Sequence, residues 1–309
     1  MGNSRIVLVI GATGAQGGAV ARHLLARKEF SVRCLTRSPE SEKAAALKKA
    51  GAEVVKGELD DPLSLRTAID GASAVFGVTS YWEHFSRELE QGRRLVDAVA
   101  TSHVEHFVLS TLPAAKQISG GKLEVPHLDM KAELENYTRT FRIPATFVHV
   151  AFYYENFLNY FPPQRQADGA FAFGFPQGDT PLAAVGVEDL GAIVGAILDR
   201  PGEFLGKTVG VVGEDRPPRE YAEIMTRVLG QKIVYNHIPR EVFASFGFPG
   251  AEDLANMFEF FRLYVPNRRA DLEQCRALNP AMQRFEPWMA ANKDRFAAIL
   301  QRQGASATS

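Results

Sequence analysis

The sequence predicts an α/β protein that begins with a parallel sheet covered by helices on both faces and continues into a smaller, mainly helical region. Short β-branched runs alternate with longer helical patterns as far as Val150, which is typical of a doubly wound sheet. A glycine-rich turn follows the first of these runs directly. After Val150 the alternation stops, and the chain becomes rich in aromatic residues, proline and glycine.

Each element is predicted from its periodicity and its flanking residues. The predicted strands of the first half are Arg5–Ile10, Ser31–Thr36, Ala52–Lys56, Ala74–Val78, His106–Ser110 and Thr146–Val150. The helices between them are Gln16–Ala26, Ser41–Ala50, Pro62–Asp70, Glu88–Thr101 and Leu128–Thr140. Residues 151–178 are predicted as irregular loops around a pocket.

The remaining elements divide between two expected domains. A helix is predicted from Val187 to Leu198 and a further strand of the sheet over Thr208–Val212. From Pro217 the pattern is helical apart from one strand at Lys232–His237. We expect a first domain of residues 1–150, completed by 183–212, and a smaller domain formed by 151–182 and 213–309.

Composition, charge and cysteine content bear on the partners and the cellular compartment of the protein. The chain has 309 residues, a formal net charge of -1 and 46% hydrophobic residues, so charge gives no reason to expect nucleic acid or a membrane surface as partner. The apolar run Ile6–Ile10 is too short for a signal peptide core or a membrane span. Cys34 and Cys275 form no CxxC motif and suit a reducing compartment, and the histidines lack metal-ligand spacing. We expect a cytoplasmic protein without a metal.

The turn after the first predicted strand has the composition of a phosphate-binding loop. It contains, in order, Gly11, Ala12, Thr13, Gly14, Ala15, Gln16 and Gly17. The chain must turn sharply at Gly11, a Cβ at Gly14 would intrude on a pyrophosphate, and Gly17 lets the helix pack close to the strand. Backbone N–H groups at the helix start then hold the phosphates. The position between strand and helix favours a Rossmann-type dinucleotide-binding domain over an accidental glycine-rich turn.

The end of the second predicted strand favours NADP(H) over NAD(H). An acidic residue at this place accepts a hydrogen bond from the NAD 2′-hydroxyl, whereas an arginine accommodates the NADP 2′-phosphate. Here the strand is followed by Arg37 and Ser38, with no carboxylate before Glu40. Arg37 can donate two hydrogen bonds to a phosphate, and Ser38 can add another. The alternative for Arg37 is a solvated surface side chain.

The glycine spacing, G-x-x-G-x-x-G, resembles the extended short-chain dehydrogenase/reductase superfamily, in particular its atypical NmrA-like branch. This resemblance implies adenine contacts from the end of the third strand, where Asp60 and Asp61 stand. It also places Thr79, Ser80 and Tyr81, after the fourth strand, beside the pyrophosphate and the nicotinamide ribose. The alternative for either segment is a capping turn.

The set of catalytic residues that is typical of that superfamily is only partly present in this chain. Its reductases use a serine, a tyrosine and a lysine, the last two spaced Y-x-x-x-K, with the tyrosine as proton donor. Here Lys131 stands on the helix after the fifth strand, but His127 lies four residues before it. Lys131 can still hold the nicotinamide ribose by hydrogen bonds. His127 is either a general acid, since imidazole titrates near neutrality, or a structural residue.

A wider set of residues resembles the NmrA-like family over nearly the whole chain. The set comprises Gly11–Gly18, Thr36–Arg37, Thr79–Glu83, His127, Lys131, Tyr154–Asn156, Phe248–Phe258 and Trp288. The resemblance implies further cofactor contacts from Tyr153, Tyr154, Glu155 and Asn156. Two departures from the family pattern bear on cofactor binding. The loop after Arg37 is more acidic than in the family, which implies a lower affinity for the 2′-phosphate, and Glu90 replaces a basic contact residue of the family.

Two functions follow from the resemblance. The first is an NADPH sensor that binds NADP(H) without turnover, changes conformation or oligomeric state with the NADPH/NADP⁺ balance, and binds a regulatory partner protein accordingly; a homodimer is left open. The second is an NADPH-dependent reductase of a small carbonyl, quinone or imine, with His127 or one of the tyrosines Tyr153 and Tyr154 as acid. Relatives similar to isoflavone reductase also lack the Y-x-x-x-K tyrosine and still reduce substrates, so its absence does not decide between the two.

Overall fold

The structure, a computed structural model, describes residues 5–305. In chain order its elements are β1 (Arg5–Val9), α1 (Ala15–Arg27), β2 (Phe30–Thr36), α2 (Glu42–Lys49), β3 (Glu53–Lys56), α3 (Pro62–Ile69), β4 (Ala74–Gly77), α4 (Tyr81–His84), α5 (Arg87–Ala100), β5 (His106–Thr111), α6 (Ala115–Ile118), α7 (Pro126–Thr140), β6 (Ala145–Val150), β7 (Phe152–Tyr153) and α8 (Asn156–Asn159). They continue with β8 (Gln164–Arg165), β9 (Phe171–Phe175), β10 (Leu182–Val185), α9 (Asp189–Asp199), α10 (Pro201–Phe204), β11 (Thr208–Val211), β12 (Glu214–Arg216), α11 (Pro218–Leu229), β13 (Ile233–His237), α12 (Arg240–Ala244), α13 (Ala251–Tyr264), α14 (Arg269–Leu278), α15 (Phe285–Ala291) and α16 (Lys293–Ala305).

These elements form two compact units. The first contains the described residues up to Ala114 together with His127–Val150 and Val187–Val211, and the second contains Ala115–Pro126, Ala151–Gly186 and the described residues from Val212 onward. Residues 115–126, 183–186 and Val212 were expected in the first domain, but all of them belong to the second unit. The physical reason for 115–126 is local: α6 packs on α13, and the Asn256 side-chain amide donates to the Glu124 carbonyl at 2.9 Å.

A seven-stranded sheet forms the centre of the first unit. Its strands pair in parallel in the order β11-β6-β5-β4-β1-β2-β3. The predicted α/β fold with a doubly wound parallel sheet is confirmed. The strand expected over Thr208–Val212 joins this sheet as β11, and it pairs with β6. Because the chain runs outward from β1 in both directions, the carboxyl ends of β1, β2 and β4 border the crevice in which such sheets bind ligands.

The inner strands of this sheet are covered on both faces. Val7, Leu8 and Val9 of β1 have no exposed surface, and all six residues of β5 are buried. On one face α1 and α9 approach so closely that a Cβ at Gly191 would lie 2.5 Å from the Ala19 carbonyl oxygen. Glycine is therefore required at this helix contact.

The second unit has an aromatic core, two small sheets and most of the later helices. The sheets run in the orders β12-β10-β7 and β13-β9-β8. Loops were predicted over 151–178, and this is wrong at Phe171–Phe175, which form β9 and pair with β13. It is also wrong at the short elements β7, α8 and β8. The glycine that suggested a loop has another role, because a Cβ at Gly174 would meet the Asn236 carbonyl oxygen at 2.7 Å. The predicted helical character after Pro217 is confirmed.

The part of the chain that the structure describes bears on two further expectations. None of its helices combines the length and the apolar character that a membrane span needs. Within residues 5–305, no three histidine, cysteine or acidic side chains lie close enough together to hold a metal ion. Cys34 and Cys275 are both buried free thiols, and burial raises the pKa of the Cys34 thiol to about 12.

Candidate dinucleotide-binding site

The first unit brings its predicted cofactor residues to one edge of the sheet. The glycine-rich loop follows β1, Arg37 and Ser38 follow β2, and Thr79–Tyr81 follow β4. Since β1 pairs with both β2 and β4 in parallel, the carboxyl ends of the three strands are neighbours. These segments therefore border the same crevice, as the sequence predicts.

The loop after β1 has the geometry of a phosphate cradle. Gly11 has a φ of +69°, which a side chain rarely tolerates, and the Gly14 N–H donates to the Gly11 carbonyl at 2.9 Å. A Cβ at Gly17 would lie 2.4 Å from the Gly11 carbonyl oxygen, whereas one at exposed Gly14 would come no closer than 3.2 Å to it. Gly17 is thus required by the fold, whereas Gly14 is exposed and only one atom, the Gly11 carbonyl oxygen, lies within 4 Å of a Cβ placed there.

The start of α1 is suited to an anion. Its N-cap is Gly14, and among the described residues no side chain caps the helix and no acidic residue stands in its first turn. The first N–H groups of a helix carry a partial positive charge and bind phosphate without further basic residues. These observations fit the dinucleotide that the sequence predicts, with the loop from Gly11 to Gly17 as its phosphate contact.

Arg37 lies at the tip of β2 and is engaged by a carboxylate. Its Nη2 donates to Glu83 Oε2 at 3.1 Å, and the two side chains are 59% and 58% exposed. Glu83 belongs to α4, which begins directly after the Thr79–Ser80 segment. An ion pair this exposed contributes little to stability, so Arg37 remains available to a stronger anion.

Asp60 and Asp61 hold neighbouring helices. The Asp61 carboxylate caps α3 by accepting from the Leu63 N–H at 3.0 Å. The Asp60 carboxylate accepts from Arg87 at 2.6 Å, from Arg94 at 2.6 Å and from Gln91 at 2.8 Å. The Gln91 amide and then the two guanidinium groups lower the pKa of Asp60. These contacts favour the structural alternative for both carboxylates.

Lys131 takes part in a buried charge cluster with Thr79 and Glu88. Its ammonium lies 2.5 Å from Glu88 Oε1, 2.9 Å from Thr79 Oγ1 and 3.1 Å from the Thr79 carbonyl oxygen. The side chains of Lys131 and Glu88 are only 11% and 2% exposed. An ammonium has three N–H donors, and all three have acceptors here. A ribose hydroxyl would have to displace one of these acceptors to bind Lys131.

The hydroxyl of Thr79 completes this cluster. It donates to Glu88 Oε1 at 2.7 Å while it accepts from Lys131. Glu88 Oε2 is buried and has no hydrogen-bond partner within residues 5–305. A buried acceptor without a donor is costly, so this atom is the natural place for an additional hydrogen-bond donor, such as a water or a ligand hydroxyl.

His127 lies beside two aromatic rings of α4. It is buried, and its ring centroid lies 5.3 Å from that of Trp82 and 6.0 Å from that of Tyr81. The turn that carries these rings ends at Phe85, whose φ of +48° is unusual for a bulky residue. Such backbone strain is often found at ligand sites.

The four remaining predicted residues, Tyr153 to Asn156, lie in the second unit. Tyr154 is fully buried and packs on Phe285 and Trp288 at centroid distances of 5.1 and 5.5 Å. Its neighbours Tyr153, Glu155 and Asn156 are half-buried. The environment of Tyr154 favours packing within the aromatic core, which disfavours it as the acid of a reductase.

Two acidic residues at the site were missed by the sequence analysis. Glu88 shares the inward face of α5 with Gln91, Gly92, Leu95 and Val96, which are all buried. A carboxylate at the helical spacing of a buried face is a signal that a cationic partner is nearby. Glu83 carried no such local signal, because β1 lies between β4 and β2 in the sheet and only the structure shows that Glu83 meets Arg37.

Comparisons with known proteins agree with this description. The profile of the NmrA-like family matches residues 3–286. An NmrA-like family domain-containing protein of Dictyostelium discoideum is 32% identical over 271 residues, which cover 84% of this chain and 88% of that protein. The NmrA-like family domain-containing oxidoreductase FrzB of Cladobotryum sp. is 33% identical over 282 residues, with 82% and 83% covered.

A solved structure shows the same fold. The negative transcriptional regulator NmrA in complex with NADP superposes with a TM-score of 0.82 at 22% identity, and 98% of each chain is covered. The same regulator has been solved with NAD. The glycine-rich loop, the strand order and the length of the profile match converge on one conclusion: this chain belongs to the NmrA-like family.

Proposed function

We propose that this protein binds NADP(H) at the sheet edge of its first unit and acts as an NADPH sensor that regulates a partner protein, without turnover of the cofactor. Support for the cofactor comes from the loop geometry at Gly11–Gly17, from Arg37 at the tip of β2, and from the related fold of NmrA in complex with NADP. The pyrophosphate would lie on the start of α1, and Arg37 would receive the 2′-phosphate.

The observation that carries the absence of turnover is the Lys131–Glu88 pair. When bound, the cofactor would supply a hydride, and the protein would have to supply a proton. In reductases of the superfamily, the cationic lysine lowers the pKa of the phenolic acid. Here Glu88 accepts a hydrogen bond from the Lys131 ammonium at 2.5 Å and neutralises its charge, while His127 occupies the place of the tyrosine. Both features disfavour proton transfer to a substrate.

The test is a titration of the full chain with NADPH, NADP⁺ and NADH, combined with NADPH oxidation assays on quinones, carbonyls and imines. We expect NADPH binding without oxidation on any panel. Gly14→Val is the variant that tests the loop assignment. Its side chain would fill the proposed pyrophosphate space, and a Cβ there meets only one backbone atom within 4 Å, so the fold should tolerate it. It should retain the wild-type circular dichroism spectrum and lose binding; full binding by a folded Gly14→Val protein would refute the loop assignment.

The sensor property requires a second measurement. Limited proteolysis and size-exclusion chromatography with saturating NADPH, and separately with NADP⁺, should give different cleavage patterns or different elution volumes. Identical results for the two cofactor forms, at occupancies verified by titration, would leave a binding protein that does not sense the redox state.

A reductase is the second candidate, and one observation favours it. FrzB, at 33% identity, is named an oxidoreductase. In that case His127 is the candidate acid, since its ring centroid lies 6.0 Å from that of Tyr81, one of the predicted nicotinamide ribose contacts. His127→Ala would then slow turnover by about 100-fold or more with little change in NADPH affinity. Turnover by the wild type and its loss in His127→Ala would establish the enzyme and exclude the sensor without catalysis.

A further inference from the structure

Arg37 and Glu83 are the starting point for a prediction about cofactor choice. They form an ion pair of 3.1 Å between the end of β2 and the turn after β4. Glu83 also lies 3.7 Å from the His84 imidazole. The other acid near the tip of β2, Glu40, has its carboxylate 3.8 Å from the Lys48 ammonium. Glu83, rather than Glu40, is therefore the carboxylate that pairs with Arg37, the residue predicted to bind the 2′-phosphate.

We propose that Glu83 is a specificity-determining residue, an internal competitor for Arg37 that narrows the preference of this site for NADPH over NADH. The inference rests on the proposed function. The 2′-phosphate of NADPH would use guanidinium donors of Arg37, and one of these nitrogens, Nη2, already donates to Glu83 Oε2. NADPH therefore competes with Glu83 for Arg37, whereas NADH has no 2′-phosphate and leaves the contact intact.

Charge adds to this competition. A phosphate monoester carries between one and two negative charges at neutral pH, and a carboxylate beside it is repelled. In dinucleotide-binding domains that select NAD, an acidic residue at the end of the second strand has this excluding effect. This chain has none there, but α4 brings Glu83 within hydrogen-bond distance of the Arg37 guanidinium. An arginine typical of NADP(H) binding is thus paired with a carboxylate that would repel the 2′-phosphate.

The expected effect is moderate because both side chains are exposed. Removal of the Glu83 charge by Glu83→Gln should strengthen NADPH binding about 5-fold, which corresponds to the upper range for a surface ion pair. NADH affinity should change less than about 2-fold. Because exposed charges are screened by salt, the gain for NADPH should shrink when the ionic strength is raised to about 1 M.

The experiment is a double-mutant cycle on the full chain, with NADPH and NADH titrated against wild type, Glu83→Gln, Arg37→Ala and the double variant. In the Arg37→Ala background, Glu83→Gln should lose the larger part of its effect on NADPH, because no guanidinium remains to compete for and only the screened repulsion between the Glu83 carboxylate and the 2′-phosphate is left. Glu203→Gln is the matched control: it removes a carboxylate from another exposed pair, with Arg200 at 3.5 Å, and should change neither affinity. Adenosine 2′,5′-bisphosphate and AMP, titrated in parallel, isolate the 2′-phosphate.

The outcomes separate this inference from the proposed function. Wild type that binds neither dinucleotide refutes the proposed function and the inference with it. Wild type that binds NADPH, with Glu83→Gln unchanged or changed equally for NADPH and NADH, refutes only the role of Glu83. A gain confined to NADPH and adenosine 2′,5′-bisphosphate, and dependent on Arg37, supports it.

Discussion

Lys131 and Arg37 are the two cationic side chains that the sequence assigns to the cofactor, and they lie in opposite surroundings. Lys131 is buried with Glu88, and every N–H of its ammonium has an acceptor. Arg37 is exposed, and so is its partner Glu83. Both contacts are ion pairs, but water screens only the second. The buried pair is therefore expected to fix the fold, and the exposed pair to be exchanged for a ligand.

The largest effect should come from breaking the buried pair. Glu88→Ala leaves the Lys131 ammonium buried without its counter-charge, which costs about 3–5 kcal/mol of unfolding free energy. Urea denaturation followed by circular dichroism measures this loss. The double variant Glu88→Leu/Lys131→Met should recover most of it, because apolar replacement of a whole buried pair is often neutral. A Glu88→Ala protein as stable as wild type would show that the Lys131–Glu88 pair does not stabilise the fold.

A second carboxylate with little exposed surface, Glu135, leads to a prediction about how the stability of the protein depends on pH. Burial by itself would raise the pKa of Glu135, but hydrogen bonds from His149 at 2.9 Å and Thr111 at 2.6 Å, with Arg139 beside them, lower it to about 2 from 4.5. The stability that Glu135 contributes is therefore complete above about pH 4.5 and is lost as the pH falls towards 2. The loss should be on the order of 3 kcal/mol.

Chemical denaturation of wild type and Glu135→Gln between pH 6 and pH 2 tests this sign. The unfolding free energy of Glu135→Gln should fall less steeply with acid than that of wild type. Glu133→Gln is the control on the same helix, since its pair with Arg93 is exposed, and its pH dependence should follow the wild type. Parallel curves for all three proteins would contradict the lowered pKa of Glu135.

The exposed pair should matter for binding. Arg37→Ala removes charge-assisted hydrogen bonds to the 2′-phosphate, each of which contributes about 1.5–3 kcal/mol, so NADPH affinity should fall about 10-fold or more. NADH affinity should stay near the wild-type value, and Arg200→Ala, which removes another exposed arginine, should leave both unchanged. Equal losses for the two cofactors would mean that Arg37 does not contact the 2′-phosphate.

The smallest effect is expected for stability at the exposed pair. Glu83→Ala should change the unfolding free energy by less than about 1 kcal/mol, because exposed ion pairs contribute little. Urea denaturation beside Glu88→Ala gives the comparison directly. A loss for Glu83→Ala as large as that for Glu88→Ala would remove the distinction between the two pairs.

Much of the first unit could be predicted because its signals are local. The six predicted strands of the first half, and the helices that follow five of them, all occur, with ends that differ by one or two residues. In the second unit, Phe171–Phe175 were predicted as loop because aromatic residues and glycine resemble a turn. Only the pairing with β13 makes them a strand. Similarly, the place of 115–126 depends on contacts with α13, far along the chain.

By itself the sequence determined the glycine-rich loop, the alternation of strands and helices around it and the arginine at the tip of β2. These are set by neighbours in the chain: a glycine at positive φ, a strand followed by a helix, a missing carboxylate. The tertiary structure decided which charges meet. Lys131 and Glu88 are 43 residues apart, and Arg37 and Glu83 are 46 apart, so no spacing rule links them. Parallel strands bring their carboxyl ends to one edge, and burial there makes one pair structural while exposure leaves the other exchangeable.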